Sequence, residues 1–195
     1  MKLLIFFTFL LITKMASAEF FQDISNVIKN NKERLSYGIS VTDFNKDGQF
    51  EFIVTGFRYP NLALSYKKGY LENLINEEVF SDNLRSTIGV AACDIDNDGF
   101  EELYFLNTDT YSGRKQYSDR LLDSQTKIID LFEIEKNLKS LNLTAGRSVV
   151  CVDRNGVGTY GFYVANYGGA TRFYELINNQ IIDKAPVLNL SLIHI

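Results

Sequence analysis

Histidine is almost missing from this 195-residue chain, which has one, His194, and tryptophan is missing altogether. A nucleophile with a base needs histidine, lysine or a paired carboxylate set in a pocket. With its sole histidine one residue from the end, the chain offers no such centre, and Ser148 beside Arg147 reads as strand. It is not expected to be an enzyme. Basic clustering is also lacking: Lys and Arg number 20 against 24 Asp and Glu, so nothing argues for nucleic acid. The one long apolar run, Leu3 to Ile12, is too short to cross a bilayer. Preceded by Lys2 and followed by Ala16-Ser17-Ala18, it reads as a secretory signal peptide, residues 1–18, cleaved after Ala18. The mature chain is therefore expected to be secreted or periplasmic, without a membrane span. Its 46% hydrophobic content suffices for one sizeable core.

What the chain has instead is acid, gathered in two places. Asp43-Phe-Asn45-Lys-Asp47-Gly48-Gln49-Phe-Glu51 and Asp94-Ile-Asp96-Asn-Asp98-Gly99-Phe100-Glu-Glu102 match position for position and hold eight of the 24 carboxylates, seven of them at ligand positions. A hard cation such as Ca²⁺ takes six to eight oxygens, and this order of residues supplies them around one point. The expected ligands are Asp43, Asn45, Asp47, the backbone carbonyl of Gln49 and Glu51 in the first loop. In the second they are Asp94, Asp96, Asp98, the carbonyl of Phe100 and Glu102. Two calcium ions are expected, the second held more tightly because its loop has four ligand carboxylates against three. A helix-loop-helix hand requires a glutamate at position 12, where this chain has Val54 and Phe105. Strand-like runs flank both loops instead, Gly38–Thr42 and Phe50–Thr55 around the first, Gly89–Cys93 and Glu102–Leu106 around the second. A dockerin, whose paired loops lead into helices, is disfavoured for the same reason.

A third copy, Gly146 to Ala165, keeps the strands and loses the ligands: position 5 is Val157, position 9 is Gly161, and Arg154 stands among what remains. It reads as structural, with a turn that should match the other two without an ion. The first aspartates, Asp43, Asp94 and Asp153, are 51 and 59 residues apart, a period that suits one four-stranded propeller blade. Outer strands are expected at 62–66 and 70–75, at 127–134, and at 172–176 and 180–183. Helix is the alternative for 71–80 and 129–141, where the apolar pattern is mixed. The fold class is all-β: a partial β-propeller of about three blades, an open arc.

The stretches Tyr37–Gly48, Gly89–Gly99, Glu102–Thr108, Gly146–Arg154 and Tyr163–Tyr167 resemble the amino-terminal part of the cartilage acidic protein family, with its ASPIC/UnbV-type members. That family belongs to the FG-GAP (VCBS) repeat class, similar to the integrin α-subunit propeller. The resemblance implies a calcium-binding module for adhesion or protein–protein contact, occupying 19–189, whose partner is an extracellular protein or a glycan. A carbohydrate-binding, lectin-like propeller is the alternative, with the aromatics of Tyr160–Tyr163 and Asn166–Gly169 available to stack a sugar, although core packing is the commoner role for such residues. Family members continue into further blades that have no counterpart here. Leu190–Ile195 matches the in-frame translation of a transposase adapter, so residues 190–195 are expected to be a non-native tail on a fragment. Cys93 and Cys151 fall at nearly the same place in successive units. Inner strands of neighbouring blades diverge from the propeller axis, which favours free buried thiols over a bridge, since a bridge needs Cα atoms within about 7 Å.

Overall fold

The computed structural model describes residues 21–190. The signal segment 1–18 and residues 191–195 of the tail lie outside them. Twelve strands form three antiparallel four-stranded sheets among the described residues. The first sheet is a meander of β1 (Ile39–Thr42), β2 (Glu51–Val54), β3 (Leu62–Lys67) and β4 (Tyr70–Asn73). The second runs β5 (Thr87–Cys93), β6 (Glu102–Asn107), β7 (Arg120–Asp123), β8 (Ile129–Asp130), and the third β9 (Gly146–Val152), β10 (Gly161–Asn166), β11 (Arg172–Ile177), β12 (Gln180–Asp183). Each acidic loop is thus the turn between the first two strands of its sheet.

Side chains alternate across a strand, so each sheet has two faces. The first sheet sets Ile53 and Ala63 against Val90, Leu103, Phe105 and Leu122 of the second. From its other face the second sheet presents Ala91, Cys93, Tyr104, Leu106 and Leu121 to Phe162, Val164, Tyr174 and Ile181 of the third. The sheets therefore stack in one sense, with β1, β5 and β9 side by side along the inner line. Near the start of these strands the backbones come very close: a Cβ on Gly38 would lie 2.7 Å from the Cα of Gly89. Three blades in an open propeller arc result.

The structure corrects the cysteine expectation. Cys93 and Cys151 form a disulfide with Cα atoms 5.6 Å apart. The cause is a one-residue offset. Cys93 directly precedes Asp94, whereas Cys151 stands two before Asp153, and a one-residue step turns a strand side chain to the opposite face. Cys93 therefore points from the second sheet toward the third while Cys151 points back, and both enter the same core.

The second unit departs most from expectation. Its third strand is β7, over residues to which the sequence assigned no element, and the run expected at 127–134 contributes only the two-residue β8 before turning into the 3₁₀ segments Leu131–Glu133 and Glu135–Ser140. Buried Asp119 fixes the long β6–β7 connection. Its carboxylate accepts from Tyr104 Oη (2.7 Å), Asn107 N (2.7 Å), Asn142 Nδ2 (2.6 Å) and the ammonium of Lys115, itself fully buried. Four donors hold one side chain, so the loop has a single arrangement. Of the 71–80 alternative, only the single turn α1 (Glu78–Ser81) is helical, and it carries the fully buried Phe80 into the first interface.

Candidate metal centre

All three loops share one backbone. The position-1 aspartate accepts from the N–H of position 6 in each: Asp43 Oδ2 from Gly48 (3.0 Å), Asp94 Oδ2 from Gly99 (3.0 Å), Asp153 Oδ2 from Gly158 (2.8 Å). These glycines have φ of 84°, 89° and 80°, and position 4 is also left-handed in every copy, at Lys46, Asn97 and Gly156. Glycine carries no Cβ penalty there, which explains its place at position 6. The expectation that the third loop keeps its turn is met.

In the two intact loops the remaining acidic groups close the ring. Asp47 Oδ1 accepts from Gln49 N (2.9 Å) and Asp98 Oδ1 from Phe100 N (2.7 Å). Asn45 Oδ1 and Asp96 Oδ1 accept from the N–H groups of Asp47 and Asp98. The position-9 glutamates are buried at the head of β2 and β6, each accepting through Oε2 from the N–H of position 2: Glu51 from Phe44 (3.1 Å), Glu102 from Ile95 (2.8 Å). Phe44 and Ile95 are themselves buried and pin the loop to the core.

Three buried carboxylate oxygens are left over. Glu51 Oε1, Asp94 Oδ1 and Glu102 Oε1 have no hydrogen-bond partner. Ligand oxygens of Asp94, Asp96 and Glu102 all lie within 4.8 Å of one another. Burial pushes Glu102 up to about 8, and the charges of Asp96, Asp123 and Asp98 add to it. Asp96 and Glu51 are raised too, burial again being the main cause. An unpartnered buried carboxylate is costly. A divalent cation is the group that such a donor set fits, since in the second loop one ion would take the oxygens of Asp94, Asp96 and Glu102 at once and cancel their mutual repulsion, and in the first a separate ion would take Glu51 Oε1. Asp43, Asn45, Asp47 and Glu51, with the Gln49 carbonyl, would hold one ion; Asp94, Asp96, Asp98 and Glu102, with the Phe100 carbonyl, the other.

Asp123 escaped the sequence reading. It ends β7, next to the strand that starts at Glu102, and its charge raises both Asp96 and Glu102. The register places Ser65 at the same point of the first sheet and Glu175 at that point of the third. Only a correct third-strand assignment would have found this, because Asp123 lies far from the loop in sequence.

The third loop solves its charge problem internally. Arg154 donates from Nε to Glu175 (2.8 Å) and from Nη1 to Asn155 Oδ1 (2.8 Å). Asp153 spends both oxygens on backbone N–H groups of residues 155–158, which lower its pKa. None of the buried side-chain oxygens left without a partner among the described residues lies in this loop.

At the opposite end of the sheets, aromatic side chains gather. The Arg147 guanidinium lies 5.6 Å from the ring of Tyr111 and 5.0 Å from that of Tyr167, and the two rings meet edge to face at 5.4 Å. Tyr37 packs on Phe57 in the same way at 5.5 Å.

Residues 30–105 match the family of FG-GAP-like repeats. Cartilage acidic protein 1 of Xenopus tropicalis is 47% identical to this chain over 150 residues, and the proteins of that name from Homo sapiens and Mus musculus are each 43% identical. The matched region is 71% of this chain, and the chain spans 23% of the length of these curated relatives.

Proposed function

We infer that this chain, an FG-GAP-repeat relative of cartilage acidic protein, is a secreted calcium-stabilised module for adhesion or protein–protein contact. The observation that carries the reading is the set of buried, unpartnered carboxylate oxygens at Glu51, Asp94 and Glu102. Calcium supplies the positive charge that lets these groups stay ionised inside the loop. The residues of the chain do the rest: the position-1 aspartates set the turn, the glutamates tie it to the second strand, and the sheets hold a recognition end rigid. That end lies away from the ions, where the β2–β3, β6–β7 and β10–β11 connections bring Tyr59, Tyr111 and Tyr167 to the surface beside Arg147 at the start of β9. Exposed tyrosine with arginine is the composition of binding hot spots. Calorimetric titration with Ca²⁺ tests the reading: two sites are expected in the wild-type chain and one in Asp43→Ala or Asp94→Ala. No calcium heat in the wild type would overturn it.

The cluster of Tyr111, Tyr167 and Arg147 also favours a second reading, a carbohydrate-binding surface, because an exposed ring can stack on a sugar. Glycan-array binding in calcium buffer separates the two. Binding lost in Tyr111→Ala would favour the sugar, and its absence in the wild type would leave protein contact.

A further inference from the structure

We propose, resting on the calcium reading above, that the two intact loops are coupled: an ion in either one tightens binding in the other, with Ser124 and Lys46 as the positioning residues that join them. Two contacts cross between the first and second sheets at the loops. Ser124 Oγ, in the turn between β7 and β8, donates to the carbonyl oxygen of Phe44 in the first loop at 3.4 Å. Lys46 of the first loop lays its ammonium 5.5 Å from the ring centroid of Phe100 in the second, and a Cβ on Gly99 would stand 3.6 Å from its Nζ.

Each contact ends on a residue that sets ligands. Phe44 lies between Asp43 and Asn45 in the chain, and its N–H holds Glu51 Oε2 at 3.1 Å. Its backbone therefore bears on three of the first loop's expected ligands. Its buried ring packs on Phe80, which packs in turn on Phe105 of β6. Ser124 follows Asp123, which the β6–β7 register sets beside Glu102. Later in the same turn, Ile128 packs against the core cluster that contains Phe44. A route thus runs from Glu102 through Asp123, Ser124 and Phe44 to Glu51, and a second runs from Lys46 to Phe100, whose carbonyl is an expected ligand. In the third sheet, the residue at the place of Ser124 is Leu176, which packs on the cluster that contains Ile95 of the second loop and offers no hydroxyl. The polar link stands only between the two loops that keep their ligands.

The sign of the coupling follows from what a cation does to crowded carboxylates. Oxygens of Asp94, Asp96 and Glu102 lie within 4.8 Å of one another, with Asp123 beside them, and a cation reverses the field that pushes Asp123 away. The turn that carries Asp123 is then held, and Ser124 with it, against the Phe44 carbonyl. Ordering that the first ion would otherwise have to impose is already in place, which is positive cooperativity. Linkage makes the effect reciprocal. Direct electrostatics acts in the opposite sense, because each ion lowers the negative potential felt by the other, and salt screens that part.

Calorimetric titration with Ca²⁺ tests the proposal. Asp43→Ala and Asp94→Ala give the constants of the second and first sites alone. The overall two-site constant of the wild type is expected to exceed their product by about fivefold or more, the lower end of ordinary coupling factors. Ser124→Ala combined with Lys46→Ala should remove the excess, whereas Ser124→Thr, which keeps the hydroxyl, should retain it, with melting in chelator unchanged in both. Amide exchange gives a readout that needs no ion in the first loop. In Asp43→Ala, calcium should slow exchange of the Phe44 N–H, and adding Ser124→Ala should abolish the slowing. Two sites whose overall constant equals the product would overturn the coupling and leave the calcium reading standing, while no calcium heat in the wild type would overturn both. An excess that survives loss of Ser124 and Lys46 would overturn the route assigned to them.

Discussion

At the scale of single residues, charge count separates the two intact loops. The second has four carboxylates in the ring and Asp123 beside it, whereas the first has Asn45 at position 3 and Ser65 where Asp123 would be. Calcium affinity is tuned by ligand charge and site rigidity. Titration of Asp43→Ala, which leaves the second site, should therefore give the lower Kd than titration of Asp94→Ala. Asn45→Asp should strengthen the first site and Asp123→Ser weaken the second. Half of this difference was legible in the loop sequences; the contribution of Asp123 was hidden because register, not adjacency, delivers it. The third loop cannot be restored by returning its glutamate. A Cβ at Gly161 would lie 2.6 Å from the Tyr174 carbonyl oxygen and 3.0 Å from the Phe173 ring. Gly161→Glu is expected to lower the melting temperature in calcium and in chelator alike, which differential scanning calorimetry would read. At Asp119 the cost is larger still, because Asp119→Ala strands the buried Lys115 ammonium. Removing one partner of a buried pair costs about 3–5 kcal/mol, and urea unfolding should show a loss of that order.

At the scale of elements, strand alternation was readable wherever both faces are covered or the loop motif fixes the frame. The inner pairs β1–β2, β5–β6 and β9–β10 fall within a residue or two of the positions that the acidic loops dictate. The β7–β8 region failed for a physical reason. Its outer strands are short, and Asp119 and Asp130 tie them down through side-chain hydrogen bonds, Asp130 Oδ1 accepting from Leu121 N and Phe132 N. Such polar anchoring leaves no periodic apolar signature. The disulfide was misjudged because divergence of the inner strands was weighed without counting face parity. It closes a sequence separation of 58 residues between two sheets. By loop-closure entropy, Cys93→Ala with Cys151→Ala should lose about 4 kcal/mol, the usual range being 2–5 kcal/mol. Urea midpoints of the oxidised chain and the double variant would measure it; equal midpoints would mean that sheet packing alone holds the second interface.

At the scale of the whole molecule, the calcium ions proposed above would act on the same equilibrium as the core. A ligand bound only by the folded state stabilises it by linkage, and extracellular modules commonly bind calcium at about 10⁻⁴ to 10⁻³ M. At 1 mM, Ca²⁺ should add about 0.4–1.4 kcal/mol per site. For a domain of this size that is roughly 2–4 °C in melting temperature per kcal/mol, with Mg²⁺ giving less because it demands tight octahedral geometry. Thermal melts in chelator, Mg²⁺ and Ca²⁺ would show the order. The left-handed residues at positions 4 and 6, held by the first aspartate alone, carry a consequence for descent. Because that aspartate and its turn make the hairpin whether or not a cation follows, mutation can erase a ligand set without erasing a blade, as Arg154 and Gly161 illustrate. Repeats in such a lineage can shed a ligand set one at a time, each step passing through a chain that still folds, whereas the way back is closed wherever, as at Gly161, the space for the glutamate has been filled.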